Sequence, residues 1–145
     1  MPFIFTNREG GYSAPPFDSA NLGDHVGDDP ILVNRNREQL ESQIGMPIQF
    51  MNQVHGDTVV LVDEKVTTPT CDALITTSKQ LALAVMVADC IPLLLKSEIA
   101  VAAVHVGRRG LMNQVTRKTI AAMRDLGAEL IHAYIGPNIC GNCYE

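Results

Sequence analysis

Residues 81–110 read LALAVMVADCIPLLLKSEIAVAAVHVGRRG, and no other part of the chain restricts its fold as strongly. Residues 82–87, 92–95 and 99–106 are short, almost wholly aliphatic runs separated by the turn-forming segments ADC and KSE. Runs of this kind belong in half-buried or buried strands of a sheet. Two of them end in ligand-type residues: Cys90 follows the first and His105 ends the third, fifteen positions later. If these strands lie side by side, both residues reach one sheet edge, where binding and catalytic groups recur.

A core of that kind is possible at this length. A chain of 145 residues fits one ordinary domain, and a chain of about 150 residues buries roughly 68–70% of its unfolded surface. Apolar residues make up 46% and charged residues 19%, which is the composition of a globular protein and not of a disordered one. The net charge is −5 and no basic block exceeds the pair Arg108 and Arg109, which argues against nucleic acid or an anionic membrane as the partner. The start, MPFIFTNREGG, has neither the basic n-region nor the h-region of a signal peptide, and no apolar run reaches the roughly 18 residues of a membrane span. The default location is cytoplasmic, where the four cysteines at 71, 90, 140 and 143 are expected to be reduced, buried or metal-binding.

The first thirty residues are loop chemistry, with GG, PP and GDD interrupted at most by a short strand at residues 2–6. Asp29 as N-cap, Pro30 at the first helical position and Gly45 as C-cap then delimit a helix with Ile31, Leu32, Val33, Leu40 and Ile44 on one face. Further strands are predicted at 48–52, 58–62, 73–76 and 130–135, and a second helix at 111–126 carries Val115, Thr119, Ala122, Met123 and Leu126 as a stripe. This order points to an α+β or layered α/β domain on a mixed sheet.

Taken singly, Cys90 reads as a buried structural thiol and His105 as a hydrogen-bonded core histidine. Together they suit either a Cys nucleophile activated by His or two ligands of a metal. His55, in NQVHGDT at another strand-to-loop junction, favours the metal. Two imidazoles and one thiolate are the donor set of a catalytic zinc with an open fourth position. The spacings of 35 and 15 residues form no short local metal motif. Asp89 is placed to orient a ligand histidine or take a proton from bound water. Arg108 and Arg109, just before a helix, and Arg8, in TNREGGYS, suit an anion such as phosphate. The CxxC of Cys140 and Cys143 lacks the second CxxC of a structural zinc site and the helix start of a thioredoxin-like pair, so it reads as a buried or rim turn.

In order along the chain, TNREGGYS, NLGDHVGDDP with NRNREQL, NQVHG, CDALITT, VADCIPLLL, VAAVHVGRRG and IGPNICGNCYE resemble the YfiH family. Its members are also described as multicopper polyphenol oxidases (laccases), peptidoglycan editing factors and purine nucleoside phosphorylases. The likeness runs from Thr6 to Glu145. It implies layered α/β with mixed β-sheets, distantly like the catalytic domains of cytotoxic necrotizing factors. It implies zinc, with copper as the alternative, on His55, Cys90 and His105. The activity implied is cytoplasmic phosphorolysis of adenosine, inosine, guanosine or methylthioadenosine, with hydrolytic deamination of adenosine. The partners are then small molecules, purine nucleosides and phosphate.

Where the family usually reads HAGWRG this chain reads HVGRRG, so Arg108 replaces a tryptophan while Arg109 and Gly110 are retained. Family members continue past the YE at which this chain stops, so residues 1–145 are expected to be a single domain that is a fragment of a longer one. On this reading Asp89 manages protons, and Arg109 with Arg8 or Arg37 holds phosphate. Three rivals stand beside it: a copper-dependent phenol oxidase, a hydrolase with Cys90 as nucleophile, and a domain that zinc merely staples.

Overall fold

The structure is a computed structural model that describes residues 3–144. The described residues divide into two compact units, residues 3–46 and residues 47–144.

In the first unit the loops of residues 3–28 are organised on helix α1, Pro30–Ile44. Its ends are those expected. The Asp29 carboxylate accepts from the Ile31 N–H at 2.8 Å, Pro30 occupies the first turn, and Gly45 closes the helix at φ 76° with its N–H on Glu41 O. The buried face differs from the expected one, because Val33 and Asn36 are buried while Ile31 is 68% exposed. The reason is polar. The Asn36 amide nitrogen donates to Ser13 Oγ, Ser19 O and Asn21 O, and its oxygen accepts from the Tyr12 N–H at 2.8 Å. The loop satisfies its backbone on a side chain where sheet and helix are not available to it. Pro2 of the strand expected at 2–6 lies outside the described residues, and residues 3–6 form no strand.

The second unit is built on a five-stranded mixed sheet in the order β2-β3-β6-β5-β7. Its strands are β2 Val59–Leu61, β3 Ala73–Thr76, β5 Ile91–Lys96, β6 Val101–Val106 and β7 His132–Ile135. β2 and β3 are parallel and every other neighbouring pair is antiparallel. The short strands β1, Ile48–Gln49, and β4, Ala82–Leu83, pair in parallel as a separate ribbon. Mixed sheets and layered α/β architecture are therefore as expected.

Alternation along the strands separates two cores. Ala73, Ile75, Leu93, Leu95, Ala102, Val104 and Val106 meet Val115 and Met123 of helix α3, Val115–Asp125. Leu74 faces the other way and packs with Met51, Val62, Cys71 and Leu81. Burial of the Cys71 thiol pushes its pKa up to about 11, so it is a structural thiol.

The helix expected at 111–126 begins earlier and is broken. Helix α2, Arg108–Met112, ends at Asn113, and Gln114 takes a left-handed φ of 63° before α3 starts. The break puts Val115, Thr119 and Met123 on the sheet and leaves Leu111 and Met112 in solvent. No helix among the described residues is long and apolar enough to cross a membrane. Asn36→Ala is expected to cost roughly 2–3 kcal/mol by orphaning buried loop groups. Hydrogen exchange should show faster exchange at Tyr12 and its neighbours, with the β5–β6 amides unchanged.

Candidate metal centre

The hairpin of β5 and β6 turns at Ser97, whose Oγ accepts from the N–H groups of Ile99 and Ala100. That turn sets a register in which Ile91 pairs with Val106 and Pro92 with His105. Cys90, one residue before Ile91, therefore arrives beside His105. The shared edge was expected, but the strand supplying Cys90 was not. The run at 82–87 shrinks to β4 in the small ribbon, and Cys90 leads into β5 instead of ending the run before it.

On β6, Val104 and Val106 face α3, so His105 faces away from it and is 3% exposed. β3 runs antiparallel to β6 with Ala73 opposite Val104, which brings Asp72 opposite His105. The Asp72 carboxylate is wholly buried and accepts from His105 Nδ1–H at 2.7 Å. It also accepts from the backbone N–H groups of Val54, His55 and Gly56 at 3.3, 2.9 and 2.7 Å. A buried carboxylate is tolerable only when its lone pairs are used in this way. These bonds hold the loop 54–56 in place and stabilise His55 in a left-handed backbone at φ 58°, which a non-glycine residue rarely adopts.

The outcome is a cluster. Ligand atoms of His55, Cys90 and His105 all lie within 4.8 Å of one another, the one such group found among the described residues. His55 Nε2 is 3.8 Å from Cys90 Sγ, and the two imidazoles meet edge-on with centroids 4.6 Å apart. Since Nδ1 of His105 is committed to Asp72, its Nε2 lone pair is left for an ion, the tautomer that a carboxylate–histidine–metal arrangement needs. Burial holds the His105 imidazole below its usual pKa despite the Asp72 bond, so the ring is neutral and ligand-competent at neutral pH. The donor set therefore fits a zinc or copper ion. Burial, with the Asp89 and Asp72 charges, pushes the Cys90 thiol above its ordinary value. A nucleophilic cysteine needs the opposite shift. Ion binding at neutral pH must instead expel the thiol proton.

His55 and Cys90 of the cluster line a hollow of about 400 Å³ together with Arg108, Arg109 and Tyr144. Both arginines are exposed at the start of α2. Asp89 is exposed at the turn before Cys90, and the carboxylate that orients a histidine of the cluster is Asp72. Arg8 and Arg37 belong to the first unit. Arg8 binds Asp18 there, and Arg37 binds Leu22 O and Asp24. His25 lies beside Asp24 in the same unit, and His132 is exposed on β7.

Sequence reasoning passed over Asp72, Gly107 and Tyr144. Asp72 left one signal: a carboxylate at the threshold of the apolar strand ALIT. Gly107 is required by space, since a Cβ there would lie 2.7 Å from His55 Cδ2 and 3.2 Å from Cys90 Sγ. Gly107→Ala is thus expected to displace the His55 ring and weaken metal binding at least about tenfold, the lower end of effects from groups around a metal's ligands. Competition with a chromophoric chelator measures this, and unchanged circular dichroism shows that the fold survives. Asp72→Asn keeps the size of the side chain but sets an amide against four donors. Its metal affinity is expected to fall by about 10- to 100-fold in the same assay.

A family described as multi-copper polyphenol oxidoreductase laccase matches residues 2–145. A purine nucleoside phosphorylase of Mycobacterium tuberculosis is 48% identical over 151 residues, covering 98% of this chain and 60% of the relative. One of Corynebacterium glutamicum is 47% identical over 153 residues, covering 98% and 62%. The chain thus spans about 60% of the length of these curated relatives. Among solved structures, a Neisseria meningitidis protein superposes with a TM-score of 0.85 at 42% identity, covering 93% of this chain and 57% of that one. YlmD from Geobacillus stearothermophilus gives 0.85 at 31% identity, covering 94% and 57%.

Proposed function

Because the chain belongs to the multi-copper polyphenol oxidoreductase laccase family, whose matched relatives carry the name purine nucleoside phosphorylase, we propose that it acts on purine nucleosides with zinc on His55, Cys90 and His105. The observation that carries this reading is the cluster of His55, Cys90 and His105, two of which line one hollow together with Arg108 and Arg109.

Zinc, when bound, supplies Lewis acidity and lowers the pKa of water. The protein's own residues do the rest. Asp72 holds the His105 ring in one tautomer and one orientation. Arg109 and Arg108 present planar forks that match phosphate oxygens in two-point contacts. In phosphorolysis a phosphate oxygen so held bonds to the anomeric carbon as the bond from that carbon to the purine nitrogen breaks, and the purine leaves. Charge developing on the phosphate and sugar is met by groups already in position. In deamination of adenosine, water adds at the amine-bearing ring carbon and ammonia leaves. Asp89, solvent-exposed and next to Cys90 in the chain, is the group we assign to carry the proton from water to the amine.

The rivals fit the geometry less well. One group of three ligands among the described residues supports one ion, short of the several a multi-copper oxidase requires. The raised Cys90 thiol opposes the cysteine hydrolase. Both apolar cores form without the ligand residues, which opposes a zinc that only staples the domain.

Elemental analysis of the purified protein beside His55→Ala, with adenosine and phosphate turnover on the same samples, tests the reading. About one zinc per chain is expected in the parent. The variant should lose both the zinc and more than about 100-fold in turnover to adenine or inosine, beyond the losses typical of outer-shell changes. A metal-free parent, or full turnover by His55→Ala, overturns the proposal.

A further inference from the structure

Cys140 and Cys143 have no part in that chemistry, yet the fold carries them to its rim. Beyond β7 the Gly136 N–H donates to Pro92 O and the Ile139 N–H donates to Asp89 O, each at 3.0 Å. Residues 136–139 are thereby laid along the segment that bears Cys90. The chain then closes a tight turn in which the N–H groups of Cys143 and Tyr144 both donate to Cys140 O, at 3.0 and 3.1 Å. That turn sets the Cys140 and Cys143 sulfurs 3.4 Å apart, both exposed, and hands the chain to Tyr144 in the wall of the hollow. The other two thiols are committed elsewhere, Cys71 in the core and Cys90 among the ligands.

We propose that Cys140 and Cys143 form a reversible dithiol–disulfide couple at the rim of the metal hollow, exchanging with small-molecule disulfides of the glutathione class. The contact with Cys143 and the N–H groups of the turn lower the pKa of the Cys140 thiol, which makes it the attacking sulfur. Its thiolate bonds to one sulfur of the small disulfide, whose S–S bond breaks and releases one small thiolate. Cys143 then gives its proton to solvent and attacks Cys140 Sγ, forming the internal disulfide and releasing the second small thiolate. Two protein thiols are oxidised and one small disulfide is reduced to two thiols. Only a short contraction is needed, because a disulfide requires about 2.05 Å between sulfurs that already touch. The new bond closes the turn immediately before Tyr144, so the redox state is registered at the mouth of the site.

The test equilibrates the zinc-loaded protein with mixtures of glutathione and glutathione disulfide, followed by acid quench, alkylation under denaturing conditions and peptide mass analysis. The peptide containing Cys140 and Cys143 is expected to pass from two alkyl groups to none in a single transition, without a glutathione adduct, while Cys71 stays alkylatable. Cys143→Ser is expected to trap Cys140 as a lasting glutathione mixed disulfide. The double variant C140S/C143S is expected to keep its full zinc content. A pair that stays alkylatable in glutathione disulfide alone, a mixed disulfide persisting in the unaltered protein, or loss of zinc in the double variant each overturns the proposal.

Discussion

The buried carboxylate of Asp72 ties together parts of the chain that are far apart in sequence. Wholly removed from water, it accepts from one imidazole N–H and three backbone N–H groups. A carboxylate buried with fewer partners would be costly enough to protonate or to unfold its surroundings. The four donors come from the end of β6 and from the loop that carries His55, so one residue just before β3 positions two of the three candidate ligands. Cys90 is positioned separately, by the register of the β5–β6 hairpin. The site therefore rests on two constraints, one electrostatic and one of strand pairing. Both are anchored on strands of the sheet, and sites built on strands are held more precisely than sites on loops.

The sheet divides its work between faces. Aliphatic side chains toward α3 supply much of the burial that holds the second unit together. At the open edge of the opposite face, polar groups can be satisfied without entering that core. Gly107 lies at the junction, where the chain leaves β6 and turns into α2. Its missing side chain is the space that the His55 ring fills. The arginines that follow are delivered to the hollow by the same turn.

The legible parts of the sequence were those governed by local rules. Asp29, Pro30 and Gly45 marked α1 because capping depends on a few neighbouring residues. The runs at 73–76, 92–95 and 99–106 were recognisable as strands because burial on a pleated surface demands aliphatic side chains. Less legible was anything that depends on distant partners. Residues 82–87 have the composition of a longer strand, yet only Ala82 and Leu83 pair, because β1 offers two partners and no more. Ile31 fits the helical stripe of α1, but its direction is set by loops that bond to Asn36. Leu111 and Met112 look like the start of an amphipathic helix, and the kink at Gln114 turns them outward.

The same division runs through the site. His55, Cys90 and His105 stood out as ligand-type residues at the ends of apolar segments, but side-chain type alone left a cysteine nucleophile and a metal site both open. Asp72 did not stand out, because one carboxylate beside a strand resembles any turn residue until its four donors are seen around it. The Cys140 and Cys143 spacing showed that two thiols could meet, but not that the chain beyond β7 would place them next to Tyr144, a residue of the hollow's wall. By itself the sequence determined which segments are buried, where α1 begins and ends, and which side chains are fit to hold a metal, since these follow from composition, periodicity and capping. The tertiary structure alone decided that residues 54–56, 72, 90, 105 and 107 share one edge, because strand register and the satisfaction of a buried charge are settled between partners far apart in the chain.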